Sequence, residues 1–163
     1  IASLGHSLAL LGRRQLLRRL QLLLYSATPG DEHGVSPLLQ LAATRGRLME
    51  LLVDRCPEAP TGGRELIDQA YLTGILSLMP ALLGCPLALV LAELPVAPAV
   101  QGALDAHAGV LGDLLRLVEA LERDDTEALA AACARRPEID APFANACLSR
   151  ALGWANNLAR EAQ

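Results

Sequence analysis

Asp31, Glu32 and His33 put two carboxylates and an imidazole on consecutive residues, inside a loop that also holds Gly30 and Gly34. These are groups that hold a divalent cation and let it activate water for hydrolysis. The other histidines stand apart: His6 has no acidic residue at helical spacing, and His107 follows Asp105 near the end of a helical segment. Isolated histidines of this kind read as surface or capping residues. The acidic run Glu119, Glu122, Asp124, Asp125 and Glu127 has the composition to gather Mg²⁺, but it reads as a solvated junction between helices. Arg13, Arg14, Arg18 and Arg19 form a basic cluster suited to contact with an anionic partner, although a solvated helix face carries the same residues. Arg45 differs, because it falls on an apolar helical stripe. A guanidinium there needs a carboxylate or carbonyl partner, and the expected role is structural.

Several chemistries are excluded outright. All 14 cations of the 163-residue chain are arginine, so no lysine Schiff base and no P-loop lysine can form. Gly-x-Ser-x-Gly, Gly-x-Gly-x-x-Gly and the P-loop are absent. Aromatic residues are 2% of the chain, too few for base-stacking platforms or aromatic cages. A net charge of −4 argues against nucleic acid as a partner. The four cysteines, Cys56, Cys85, Cys133 and Cys147, match no zinc spacing and no disulfide framework, and read as free thiols of a reducing cytoplasm. The most apolar run, Tyr71 to Leu83, is broken by Gly74 and Pro80, so no membrane span is expected. Arg13 to Leu24 superficially resembles a signal peptide but carries four arginines and a short apolar tail. No cofactor is expected. The chain opens on Ile1 and runs straight into a helical pattern, which reads as a piece of a longer protein.

The elements that must position these residues are helices. Leu and Ala dominate, and no alternating β-branched stretch suggests a strand. With 52% hydrophobic residues the chain can bury a core as one domain over 1–163. Ser3 caps a short first helix, and a second runs from about Arg13 to Ala27. Ser36-Pro37 starts a helix reaching about Arg55, with Leu38, Leu41, Leu48 and Leu52 as its core face and Gln40, Thr44, Arg47 and Asp54 as its wet face. A central buried helix covers Arg64 to about Met79, or on to Leu83, with Pro80 kinking or ending it. Shorter helices start at Pro86 and Pro98. Val110 to Arg123 carries the stripe Leu111, Leu114, Leu115, Val118 and Leu121, with Glu119 and Arg123 as a surface i, i+4 pair. Asp125 and Asp140 cap the last two helices, and Trp154 falls near the end of the final one. The total is about nine helices with no equal-length repeat.

The order of these segments resembles an HDOD domain, the HD-related output domain of bacterial signalling proteins. The segments that carry the resemblance are IASLGHSLALLGRRQLLRRLQLLL, SPLLQLAATRGRLMELL, DQAYLTGILSLMPALLG and LGDLLRLVEALERDD. Together they look most like the later part of an HDOD domain that follows an EAL domain, the cyclic-di-GMP phosphodiesterase fold. The resemblance implies a multi-helix orthogonal bundle of the HD type. Active HD phosphohydrolases carry a His-Asp pair on the central helix, and that pair binds a divalent metal. Here Ser77 stands at the position of the His and Leu78 at that of the Asp, while an earlier metal-binding His would fall near Leu41.

The expected protein is therefore a catalytically inactive signalling module. Its expected partners are the EAL domain upstream in the same chain and a further signalling protein, and a homodimer is also compatible. Any enzymatic activity would reside upstream. A missing helical layer should leave apolar surface on the early helices. The alternatives are a metal-dependent HD-type phosphohydrolase with an unorthodox site at Asp31, Glu32 and His33, and a purely structural helical domain.

Overall fold

The computed structural model describes residues 37–58, 64–93 and 96–161, and side chains at all of these except 93 and 158–161. The two expected N-terminal helices, the cluster Arg13, Arg14, Arg18 and Arg19, and the loop with Asp31, Glu32 and His33 lie outside the described residues. Eight α-helices and no strand occur among the described residues. They are α1 (Pro37–Val53), α2 (Arg64–Leu76), α3 (Met79–Leu83), α4 (Leu87–Glu93), α5 (Pro98–Ala106), α6 (Gly109–Glu122), α7 (Thr126–Arg135) and α8 (Ala141–Glu161). No helix among these residues is long and apolar enough to cross a membrane.

The α1–α2 crossing organises the bundle. A Cβ placed on Gly74 would lie 2.7 Å from the Gly46 Cα and 2.8 Å from the Arg45 carbonyl, so the two backbones meet directly. This contact reassigns the faces of α1. Its buried side runs through Leu39, Ala42, Ala43, Gly46, Met49 and Val53, and includes Thr44 at 3% exposure. Leu38 and Leu41, expected in the core, are 39% and 36% exposed. Leu48 and Leu52, the other two leucines expected in the core, are fully buried. Small residues mark the crossing because they let the neighbouring helix approach. Thr44, expected on the wet face, resolves its burial by donating its hydroxyl to the Gln40 carbonyl at 2.8 Å.

The central helix also ends earlier than expected. It stops at Leu76, and α3 begins after Ser77 and Leu78. Pro80 has no N–H for the Leu76 carbonyl and its ring would collide with that oxygen, so the break falls before the proline. Leu78 N bonds Ile75 O at 3.2 Å, tightening the last turn. The α3–α4 hairpin presents apolar side chains outward, with Leu89 60% exposed.

α6 lies along α1, α2, α5 and α7 and buries Leu111, Leu114, Leu115, Leu117 and Val118. The α5–α6 reversal is tight. His107 takes a left-handed conformation at φ 50°, and a Cβ on Gly112 would stand 2.0 Å from the His107 carbonyl carbon. Glu119 turns to His107 at 3.1 Å instead of forming the expected pair with Arg123, because this reversal brings the imidazole alongside α6. Asp125 and Asp140 cap α7 and α8, accepting from Ala128 N at 2.9 Å and Phe143 N at 2.8 Å. α8 runs on past Trp154 to Glu161. It packs antiparallel on α1, as the pairs Gln40–Asn156, Arg47–Trp154 and Arg55–Phe143 show.

Candidate functional site

Two polar clusters among the described residues are built around the buried arginines Arg45 and Arg136. The first joins α1, the α2–α3 break and the end of α6. Arg45 is 8% exposed, placed there because it sits one residue from the glycine contact. Its Nε donates to Glu122 Oε1 at 3.0 Å, and its Nη2 pairs with Glu122 Oε2. This is a side-on bidentate pair, the strongest geometry open to a guanidinium and a carboxylate. Nη1 donates to Ser77 Oγ at 2.8 Å. Ser77 in turn donates its hydroxyl proton to the Gly74 carbonyl at 2.7 Å.

The cluster collects residues that the sequence treated separately. Arg45 was singled out for its burial. The resemblance would set Ser77 at the position of a metal-binding His, and Glu122 is one acid of a run that reads as solvated. The missed signal is periodic: Glu122 continues the stripe of Leu111, Leu115 and Val118 by one more turn. Leu78, which the resemblance would set at the Asp of a metal pair, has no side-chain donor atom and serves as the N-cap residue of α3. Leu41 lies one turn before Arg45, half-exposed at the rim. The donor set does not fit a divalent cation. A single carboxylate and a hydroxyl are present, and a guanidinium already engages both.

The second cluster is centred on Arg136, a residue not singled out from the sequence. Arg136 Nη1 and Nη2 donate to the two oxygens of Glu58 at 2.9 and 2.6 Å. Its Nε stands 2.9 Å from Glu138 Oε1, an ion-pair contact out of line for a hydrogen bond. Cys56 Sγ, Glu58 and Glu138 offer ligand atoms within 4.8 Å of one another. The cation among them is Arg136, whose own pKa is raised further by the Glu58 bonds. This cluster ties the turn after α1 to the α7–α8 junction. The Arg136 bond holds the Glu58 carboxyl below its ordinary value, whereas burial pushes the Cys56 thiol up despite the arginine beside it. Burial also raises Cys133 and Cys147. All four cysteines are free.

Comparison of the chain with protein-family models, with curated proteins and with solved structures gives no match in any of the three. The class that the geometry itself defines, over the described residues, is an all-α one in which the buried arginines Arg45 and Arg136 each pair with a carboxylate distant in sequence.

Proposed function

We propose that this chain is a non-catalytic regulatory domain of the HD-related output type, acting through contacts with other domains. The observation that carries the reading is the use made of Ser77 and Leu78. Where the resemblance calls for a His-Asp pair, the chain offers a hydroxyl committed to Arg45 and Gly74 and a side chain with no donor. Such a position cannot hold a metal-activated water against phosphorus. The paired helices around it support the same reading, since their packing needs no metal. The partner that best suits the resemblance is an EAL domain upstream in the same polypeptide, in cyclic-di-GMP signalling in the cytoplasm. Arg13, Arg14, Arg18 and Arg19 are the proposed contact residues toward a further signalling protein.

The test has two parts. Purified chain with Mn²⁺, Mg²⁺ or Fe²⁺ should leave cyclic di-GMP and a chromogenic phosphodiester intact. Metal-dependent turnover lost in Asp31→Asn or His33→Ala would overturn the reading in favour of an unorthodox phosphohydrolase. Affinity capture from the cells of origin should then retain a further signalling protein at stoichiometric level, and changing the four arginines to Ala should release it. A dimer by light scattering that retains nothing would reduce the chain to a structural unit.

A further inference from the structure

The Arg45 cluster has the electrostatics of a cation-binding pocket. Three oxygens face the guanidinium: both carboxylate oxygens of Glu122 and the hydroxyl oxygen of Ser77. Because Ser77 gives its proton to the Gly74 carbonyl, Oγ turns only lone pairs toward Arg45. An ionised carboxylate likewise offers acceptors alone. All three oxygens are therefore acceptors toward the guanidinium, an arrangement that favours a cation with donors over an anion. The pocket also has a shape. Two of its oxygens engage adjacent nitrogens of one planar group, a match for a guanidinium fork that a spherical ion does not share.

We infer that Glu122 and Ser77 form a pocket for a planar cation, whose permanent occupant is the guanidinium of Arg45. The chain supplies its own ion, tethered to α1, and that ion bridges to α6 and to the α2–α3 break. Helices that a bound metal would join in a phosphohydrolase are joined here by a side chain. That comparison rests on the reading above; the pocket itself rests on the contacts alone.

Arg45→Ala removes the ion and leaves the acceptors. Millimolar ethylguanidinium should then raise the melting temperature of the variant by about 4 °C over the same concentration of NaCl. It should leave wild type unmoved, and also Arg45→Ala combined with Glu122→Gln. No rise, or an equal rise in the double variant, would overturn the pocket. A larger rise with Mn²⁺ than with ethylguanidinium would overturn its preference for a planar cation. Should Arg45→Ala fail to fold, its refolding yield with and without ethylguanidinium reads the same pocket. Phosphodiester hydrolysis by the wild type would sink the functional reading and leave the rescue result untouched.

Discussion

Arg45 and Glu122 lie 77 residues apart in sequence and meet side-on across the α1–α6 interface, with both carboxylate oxygens engaged. Neither charge is well solvated, the side chains being 9% and 17% exposed. Removing one partner strands the other. Glu122→Gln and Arg45→Met should each cost about 3 kcal/mol, at the lower end for a broken buried pair because Glu122 keeps some access to water. Arg45→Met with Glu122→Leu should cost clearly less than the sum. Urea denaturation of the four proteins gives the coupling directly. Additive losses would mean that the pair contributes nothing as a pair.

The glycines divide into those that the packing requires and those that it does not. Gly74 meets the backbone of α1, so Gly74→Ala must push the two helices apart and should cost about 2 kcal/mol. Gly153 lies within α8 with nothing within 4 Å of where its Cβ would be. Gly153→Ala should therefore stabilise by about 0.5–1 kcal/mol through helix propensity alone. Thermal melts of the two variants should move in opposite directions. A destabilised Gly153→Ala would show that a second surface comes close to α8 in solution.

Local signals were legible in the sequence and distant ones were not. Asp125, Asp140, Pro98 and Gly109 mark helix boundaries through their own backbone chemistry, and the structure places boundaries there. Pro80 signals a kink or end of the central helix, but the break falls earlier, at Ser77 and Leu78, because a proline acts backwards, on the carbonyl of Leu76. The need of Arg45 for a carboxylate followed from its position on an apolar stripe. The stripe of α6 picks out Glu122 within the acidic run, but matching it to Arg45 required knowing that α6 packs on α1, which no local pattern states. The Arg136 cluster was hidden for a related reason: its arginine lies in a turn, outside any helical periodicity.

Glu58 and Arg136 give the fold an acid-sensitive contact. The carboxyl is held below its ordinary value of 4.5, so its contribution is present above that pH and is lost as pH falls below it toward the lowered native value. Glu58 is 48% exposed at its side chain, so screening keeps the contribution under about 1 kcal/mol. Stability measured between pH 5 and 3 should fall less steeply in Glu58→Gln than in the wild type. Identical slopes would show that Arg136 does not discriminate the ionised carboxyl.

Two opposed effects act on Cys56, and alkylation can tell which one wins. Arg136 beside the sulfur favours the thiolate, while burial favours the neutral thiol and dominates. The thiolate is the reactive form, so Cys56 should be slow to react although an arginine is its neighbour. Cys147 is buried as well, and its thiol is raised by burial against the opposing charges of Arg150 and Arg55. Cys85 is only half-buried. Iodoacetamide at neutral pH, read by mass spectrometry, should label Cys85 first, and Cys56 and Cys147 only as fast as the native state opens. Mild urea should speed the last two and leave Cys85 nearly unchanged. Rapid labelling of Cys56 in the native protein would mean that Arg136 outweighs burial. Arg136→Leu would then slow the reaction, which is the reverse of its expected effect through local loosening.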